Sequence, residues 1–451
     1  MKAIALAVSA ALTAFSTAAF AVPSEPASSL PTGGRWAGNP DGTAGGTIST
    51  PSATQMQLNQ NQRSGVIDFD CFCSRQGTHV NLTAPSADST TLIRSVEGAN
   101  LWGRFTANDR VFISSSPGVY FAPSASVEVG SLFATSLSIT DADFRAGRYQ
   151  FSNPGGAGPV INRGTIVTPA GYAALAAPQV RNEGLIVARL GSVALAAGDR
   201  VMLDIIGDGL VNVSVDRDAL DALALNSGTI EADGGRVLLT ARSANALLDT
   251  VINNSGVIRA SSLEERNGEI VLDAGERGSV SVTGSLDAQG GSIIIRGGSS
   301  VNISGSETIS AGAGSIAVVG NQASTVNVSG TGAISTSGGS VSIGTGSGGA
   351  INLGSGTISL GGGSLSVTGG TINNNGAVLL SGRSGLTEEE LIRGKVAGSL
   401  TLAEVTRTAV AAAQPTTEAR RSIENGSRTP PGTLAPMQHQ IIGTGIRIPG
   451  N

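Results

Sequence analysis

A short phrase recurs along the middle of this 451-residue chain and constrains its fold more than any other feature. The phrase is Asn, any residue, Gly, a small or aliphatic residue and then Ile, with copies between 20 and 44 residues apart. The recurring pairs are Asn162 and Gly164, Asn182 and Gly184, Asn226 and Gly228, and Asn254 and Gly256. A turn pair before a β-branched strand start, repeated at such intervals, predicts an all-β coil of short strands, a β-solenoid.

The asparagines of this phrase have two interpretations. They can stack along the coil axis into a ladder of hydrogen-bonded side-chain amides, or they can be plain turn residues with no contact between turns. The glycine two residues later is expected to supply the positive φ angle that such a corner needs. The isoleucine is expected to point inward and to pack on its equivalents in the turns above and below.

Composition agrees with a β-rich chain and disfavours several function classes. There are 64 Gly, only 14% charged residues and a net charge of −5. Low charge together with many Val and Ile residues favours strands with tight corners over a disordered chain. Because no basic stretch could neutralise phosphates, we expect no nucleic-acid partner, and no motif predicts a cofactor or metal.

The first residues have the pattern of an export signal. Lys2 precedes a run of small and apolar residues, and Ala19-Phe20-Ala21 is a small-x-small cleavage box. We therefore predict a signal peptide over residues 1–21, cleaved after Ala21. A transmembrane anchor is the alternative, but the run is short and lacks flanking charges.

The remaining chain divides by composition into five parts. We predict an N-terminal lead at 22–46, the main coil at 47–280, further rungs at 281–385, a capping helix at 386–413 and a flexible tail at 414–451. Thr387-Glu-Glu-Glu390 opens the predicted helix as a capping box. Shorter helical segments are predicted at 141–147, 216–223 and 244–250, and a charged excursion at 261–267.

The chain has only two cysteines, Cys71 and Cys73. On an extended strand these positions share one face, at a Cα separation near the upper limit for a disulfide. Two separate, half-buried core side chains are therefore the preferred interpretation. A disulfide suited to an exported protein and a metal site with His79 are the alternatives.

Residues 101–150 carry a resemblance to a known family. The segments Arg110-Val-Phe-Ile-Ser-Ser-Ser-Pro-Gly-Val-Tyr-Phe and Val127-Glu-Val-Gly-Ser-Leu-Phe resemble the haemagglutination-activity domain. This is the secretion domain of filamentous-haemagglutinin-like exoproteins of two-partner secretion. The resemblance covers about residues 31–280 and places that domain at 47–280; residues 281–385 resemble it only as generic solenoid.

The resemblance implies a right-handed parallel β-helix with an N-terminal cap of antiparallel strands. It also implies a partner, a cognate outer-membrane β-barrel transporter with periplasmic polypeptide-binding domains. The passenger would cross unfolded and fold outside, and the mature protein would be extracellular or on the cell surface. Many such passengers are adhesins, so a glycan or protein receptor is a second expected partner.

One family motif is altered in this chain. The family's Asn-Pro-Asn-Gly turn falls on Ser115, Ser116, Pro117 and Gly118, and only its glycine is kept. A Pro-Gly pair can still make a turn, so we expect the turn itself but not the asparagine contacts.

A binding role without catalysis is the function that the sequence predicts best. The alternative is a secreted β-helical carbohydrate-active enzyme, a polysaccharide lyase or hydrolase, which would need clustered carboxylates on one face. Candidate acids are Asp199, Asp204, Asp208, Asp216 and Asp218. Their spacing is irregular and neither Lys nor His accompanies them, so we expect corner and cap residues and no catalytic site.

Overall fold

The computed structural model is built almost wholly from β-strands. It describes residues 23–39, 42–153, 155–169, 171–205, 211–244, 250–263, 267–330, 332–354, 357–361, 363–374, 379–381 and 401–402. Within these ranges the chain forms a parallel coil of strands entered through an antiparallel cap, which confirms the predicted fold class. The signal segment, with Ala21, lies outside the described residues, and the predicted domain boundaries stay predictions.

The N-terminal cap consists of six strands. They are β1 (Arg35–Trp36), β2 (Gly46–Ser52), β3 (Gln55–Gln60), β4 (Ser64–Phe69), β5 (His79–Thr83) and β6 (Thr90–Ser95). Strand β1 pairs antiparallel with β4, and β2 pairs antiparallel with β3. Parallel pairing begins with β3 on β5 and β4 on β6, so the cap converts a hairpin edge into the first turn of the coil.

The next block contains the longest strands and the helix. Its elements are β7 (Ala99–Leu101), β8 (Arg104–Ser114), β9 (Val119–Phe121), β10 (Ser126–Thr135), α1 (Asp141–Arg145) and β11 (Gln150–Ser152). The Thr140 hydroxyl accepts from the Asp143 amide and caps α1, and Gly147 follows with φ +70°. The short helix predicted at 141–147 is therefore confirmed, by N-capping at Thr and a left-handed Gly after its end.

The coil proper has three strands per turn, arranged in three columns. Its strands are β12 (Val160–Asn162), β13 (Thr165–Val167), β14 (Ala173–Ala177), β15 (Gln179–Asn182), β16 (Leu185–Val187), β17 (Ser192–Ala197), β18 (Arg200–Ile205), β19 (Val211–Arg217), β20 (Leu223–Asn226), β21 (Thr229–Glu231), β22 (Arg236–Ala241), β23 (Thr250–Asn254), β24 (Val257–Arg259), β25 (Glu269–Asp273), β26 (Ser279–Val282), β27 (Ser285–Asp287), β28 (Ser292–Gly297), β29 (Ser300–Ile303), β30 (Ile309–Gly312), β31 (Ser315–Gly320), β32 (Thr325–Val328), β33 (Ala333–Thr336), β34 (Ser340–Gly344), β35 (Ala350–Leu353), β36 (Thr357–Ser359), β37 (Ser364–Thr368), β38 (Thr371–Asn374), β39 (Leu379–Ser381) and β40 (Thr401–Leu402). One turn runs through β15, β16 and β17, and each of these pairs in parallel with the equivalent strand of the next turn, β20, β21 and β22.

The predicted isoleucine stack forms the centre of the core. In register, each isoleucine of the recurring phrase lies on the next, and the column continues through later turns. Its members, all at most 3% exposed, are Ile166, Ile186, Ile230, Ile258, Leu286, Ile309, Ile334 and Ile358. Burying each such side chain contributes about 1.5–3 kcal/mol before chain entropy opposes it.

A hairpin leaves the coil between β17 and β20. Strands β18 and β19 pair antiparallel with each other, and β11 adds a third strand. This small sheet covers the outer, apolar face of the coil, where Phe151 of β11 packs on Phe112 and Phe133. The helix predicted at 216–223 is wrong: β19 continues to Arg217 and Ala219 bridges to Ser243, because strand pairing overrides the helical spacing of Asp-Ala-Leu-Asp-Ala-Leu.

The other predicted helices fall largely outside the described residues. Residues 245–249 of the 244–250 segment and 264–266 of the charged excursion are not described. Of the capping helix at 386–413, only Thr401–Leu402 are described, and they pair in parallel with β37 instead of forming a helix. The tail at 414–451 lies outside the description.

Candidate functional site: the cap turn, the asparagine ladder and the cap groove

The turn at residues 115–118 connects β8 to β9 and closes by a backbone hydrogen bond. The Gly118 amide donates to the Ser115 carbonyl at 2.8 Å. Gly118 has φ +126°, and a Cβ there would lie 2.7 Å from the Pro159 carbonyl oxygen. Glycine is therefore required twice over, by conformation and by the close approach of the next turn. The structure thus forms the turn without the family's asparagines.

Burial decides which of these residues a partner could touch. Ser115 is 1% exposed, and its hydroxyl has no hydrogen-bond partner among the described atoms. Ser116 is half-buried and Pro117 is exposed. Only Ser116 and Pro117 therefore present side chains to the outside, and a transporter contact through this turn stays a prediction.

The recurring asparagines form a continuous buried ladder. The Asn162 Nδ2 donates to Asn182 Oδ1 at 2.8 Å, Asn182 Nδ2 to Asn226 Oδ1 at 2.8 Å, and Asn226 Nδ2 to Asn254 Oδ1 at 2.7 Å. All four side chains are 0% exposed. Of the two interpretations, the ladder is the one that the structure adopts. Its amides satisfy one another where water cannot reach them.

The ladder ends where the register supplies apolar residues. Phe121 pairs with Asn162 at one end, and Val282 pairs with Asn254 at the other. Asn162 Oδ1 accepts from the Gly164 amide at 3.1 Å, and Asn254 Nδ2 reaches the Gly256 carbonyl at 3.3 Å. The side-chain atom left over at each end of the ladder is therefore satisfied by a backbone group two residues later in the chain.

The expected role of the neighbouring glycines was wrong. Gly164, Gly184, Gly228 and Gly256 do not have positive φ angles. The reason for glycine is space: a Cβ on Gly184 would lie 2.2 Å from the Gly164 carbonyl oxygen, and the same clash recurs at 2.1 Å for Gly228 and Gly256. Adjacent turns approach too closely at this corner for any side chain.

The cysteines form a disulfide at a bend and do not lie on a strand. Strand β4 ends at Phe69, and the Cα atoms of Cys71 and Cys73 are 5.1 Å apart in the disulfide. Two residues of extended strand would span about 6.6 Å. The preferred interpretation assumed that extended geometry and is corrected by the bend. Cys71 also bridges to Thr32 of the lead, whose amide donates to the Cys71 carbonyl at 3.0 Å.

A groove of about 860 Å³, named the cap groove, runs from β5 of the cap across β8 and β10 of the next block. Its floor is a connected row in which Thr106 Oγ1 donates to Asn81 Oδ1 at 2.6 Å and Asn81 Nδ2 donates to Gln57 Oε1 at 2.8 Å. His79 Nε2 lies 2.8 Å from the Thr106 hydroxyl. Because that hydroxyl's proton faces Asn81, His79 is the donor. Desolvation, and then the nearby Arg104 charge, lower the pKa of His79. The groove thus presents uncharged donors and acceptors beside two arginines and two carboxylates, a surface suited to a polar ligand.

Of the candidate acids of the enzyme alternative, only Asp216 and Asp218 lie together among the described residues. Asp199 accepts from Asn153 Nδ2 at 2.9 Å beside the hairpin. Asp204 lies on the exposed face of β18 opposite Asn212. Asp216 and Asp218 border a separate shallow groove, and Asp208 lies outside the described residues. No group of three His, Cys, Asp or Glu residues suited to a metal occurs among the residues that the structure describes.

Sequence reasoning missed a buried polar cluster under the cap, formed by Gln60, Thr91 and Asp109. A signal was available for Asp109. It shares the odd-numbered positions of β8 with Phe105, Val111 and Ile113, which alternation assigns to the inside. Asp109 is indeed 0% exposed. Alternation gives the same signal for Gln60, which shares alternate positions of β3 with Met56 and Leu58, and for Thr91, which shares them in β6 with Ile93.

Comparison with known proteins identifies the cap and first coils. Residues 37–288 match the TPS (two-partner secretion) secretion domain family. Two curated relatives are heme/hemopexin-binding proteins of Haemophilus influenzae. One is 26% identical over 230 residues, covering 49% of this chain and 25% of the relative. The other is 23% identical over 252 residues, covering 51% and 27%. The chain thus spans about a quarter of the length of these relatives.

Among solved structures, the chain is similar to the HMW1 secretion domain from Haemophilus influenzae. The TM-score is 0.56 at 22% identity, covering 77% of this chain and 98% of that domain. At this identity the likeness shows the fold. Within the described ranges, no helix has the length and apolarity to cross a membrane. Because the family match spans more than half of the chain, the protein belongs to the TPS secretion domain family, the exoproteins that a two-partner system exports through a cognate outer-membrane transporter.

Proposed function

We propose that this protein is a secreted or surface-exposed exoprotein with an adhesive or other receptor-binding role and without catalysis. The observation that carries the export half of this proposal is the family match over residues 37–288. The cap and coil that the structure describes form a capped, parallel β-coil, the fold expected of such a secretion domain. Residues 1–21 act as the signal peptide for the first membrane, and the mature chain ends outside the outer membrane.

Transporter recognition is assigned to the cap and its turn. Backbone hydrogen bonds hold the turn to both neighbouring turns of the coil: the Ser115 amide donates to the Thr135 carbonyl of the following turn, and the Gly118 carbonyl accepts from the Ala99 amide of the preceding turn. Ser116 and Pro117 are its outward residues. The coil beyond the secretion domain repeats a simple pattern and is less suited to specific recognition.

A receptor-binding role is supported by regular polar rows on the outer faces. Beyond the cap groove, Asn327 Nδ2 donates to Asn302 Oδ1 at 2.6 Å, and Asn352 Nδ2 donates to Asn327 Oδ1 at 2.7 Å. These amides are half-exposed and give a flat array of donors and acceptors that suits glycan hydroxyls or a protein backbone. The two relatives are named for binding heme and hemopexin. Because this chain covers only a quarter of them, their ligand is not adopted for this protein.

Export can be tested by paired deletions in cells that make the cognate transporter. Removing residues 47–150 should leave the remainder in the periplasm. The control removes residues 300–324, one 25-residue turn, which joins Ser299 to Thr325 and keeps the Asn register. The control should reach the medium or cell surface normally. Normal export of the 47–150 deletion would overturn the assignment of transporter recognition to the cap.

The binding role needs a separate measurement on the purified protein. A glycan array should show that the protein binds glycans. A reducing-end assay on the same polysaccharides should show no release of new reducing ends. Release of reducing or unsaturated ends would instead establish the carbohydrate-active enzyme.

A further inference from the structure

Three polar side chains meet in the otherwise apolar interior under the cap. Gln60 ends β3, Thr91 lies in β6 and Asp109 lies in β8, and they are 5%, 0% and 0% exposed. Thr91 Oγ1 is 2.6 Å from Gln60 Oε1 and 2.6 Å from Asp109 Oδ2. The cluster therefore joins the cap hairpin β2–β3 to the first two coils through a single hydroxyl group.

The number of protons sets the state of this cluster. Gln60 Nε2 donates to the carbonyl groups of Gln62 at 2.5 Å and Thr90 at 3.3 Å, which fixes Oε1 toward Thr91. The Thr91 hydroxyl has one proton, so it cannot serve both Gln60 Oε1 and an ionised Asp109. If Asp109 is protonated, its Oδ2 donates to Thr91 and Thr91 donates to Gln60, so both contacts of the Thr91 hydroxyl are satisfied.

The surroundings supply no positive charge to an ionised Asp109. Arg110 is turned outward to Asp88, at 2.8 Å, and β10 faces Asp109 with Gly130. The Tyr172 phenol is the titratable group that interacts with Asp109, and Tyr149 lies beside Tyr172. Asp109 Oδ1 and the Tyr172 hydroxyl have no partner among the described atoms. Burial raises the pKa of Asp109 to about 6, with the Thr91 hydrogen bond opposing the shift.

We propose that Gln60, Thr91 and Asp109 form a proton-dependent latch that holds the cap hairpin on the first coils. The latch is closed when Asp109 is protonated. Ionisation draws the Thr91 proton to the carboxylate, leaves Gln60 Oε1 without a donor and loosens the end of β3. Because the folded-state pKa lies above the usual value of 3.8, the latch contributes its full stability below about pH 4 and loses it as pH rises through 6. The inference concerns the folded protein and does not depend on the proposed receptor.

Trp36 provides a local reporter of the latch. A Cβ on Gly65 would meet Gln60 Oε1 at 2.2 Å and the Trp36 ring at 3.0 Å, so the indole and the Gln60 amide are near neighbours. The chain has only two tryptophans. In the full chain with Trp102→Phe, fluorescence therefore reports Trp36 alone.

The test is a fluorescence titration of that protein from pH 4 to pH 8. We expect one transition with a midpoint near pH 6, abolished by Asp109→Asn and retained in Asp88→Asn, which removes a mostly exposed carboxylate. A transition that persists unchanged in Asp109→Asn, or its absence from the parent protein, would overturn the latch. If Asp109→Asn does not fold, Thr91→Val decides. Because the Thr91 hydroxyl is the link between Asp109 and Gln60, its loss should abolish the Trp36 transition, and a transition that persists in Thr91→Val contradicts the proposal.

Discussion

The buried asparagine ladder gives the sharpest quantitative prediction. Replacing Asn226 with Leu, which is similar in size, removes both the donor to Asn254 and the acceptor of Asn182. The change is made at the middle of the ladder, so both broken contacts are interior ones. The backbone and the adjacent isoleucine stack are untouched.

The expected cost follows from what is left unpaired. Asn254 Oδ1 loses its ladder donor in a site without solvent access, which costs about 1–3 kcal/mol. Asn182 Nδ2 keeps only long contacts, 3.4 Å each, to the carbonyl groups of Gly184 and Thr229. The loss of its short hydrogen bond to Asn226 should cost about 1 kcal/mol. We therefore expect Asn226→Leu to lower the free energy of unfolding by about 3 kcal/mol.

The matched control is Asn327→Leu. Asn327 also links two asparagines, Asn302 and Asn352, at 2.6 and 2.7 Å, but its row is half-exposed and water can replace each lost bond. We expect a loss below about 1 kcal/mol. The two variants thus differ in burial while the chemistry of the substitution is the same.

Urea unfolding followed by far-UV circular dichroism measures both variants. A repeat coil need not unfold in one step, so the midpoints of each resolved phase should be compared with the parent. Equal losses for Asn226→Leu and Asn327→Leu, or no loss for Asn226→Leu, would refute the reasoning that burial makes the ladder stabilising.

Three further predictions concern the coil and its cap. Gly228→Ala should lower the melting temperature strongly, because its Cβ would lie 2.1 Å from backbone oxygen, whereas Gly38→Ala, with nothing within 4 Å, should not. Ile230→Ala should cost about 2–5 kcal/mol in urea unfolding, and Val257→Ala, at a side chain 43% exposed, less than about 1 kcal/mol. The contribution of Asp109 to stability should fall by about 3 kcal/mol between pH 4 and pH 6.5, because burial raises its pKa from 3.8 to about 6, and urea titrations at both values should lack this fall in Asp109→Asn.

The repeated features were predictable because each position recurs in the same environment. Asn182 and Ile186 have equivalents in neighbouring turns, so a pattern in sequence becomes a column in space. The reason why glycine is required at this corner was harder to predict. The sequence alone does not show whether Gly184 is needed for a positive φ angle or for a close approach of the neighbouring backbone.

Non-repeated features were predicted less well because they depend on tertiary contacts. The segment at 216–223 has helical spacing, yet pairing of β19 with β18 decides its structure. The cap cluster joins Gln60 to Thr91 across 31 residues and Thr91 to Asp109 across 18. No local motif encodes such contacts.

The most direct test of the account is the fate of the full chain with and without its cognate transporter. The chain is expressed with its own signal segment in cells that contain the transporter or lack it, and the periplasm, cell surface and medium are assayed separately. We predict that the protein reaches the surface or medium only when the transporter is present and accumulates in the periplasm without it. Equal amounts outside the cell in both strains would contradict export by two-partner secretion.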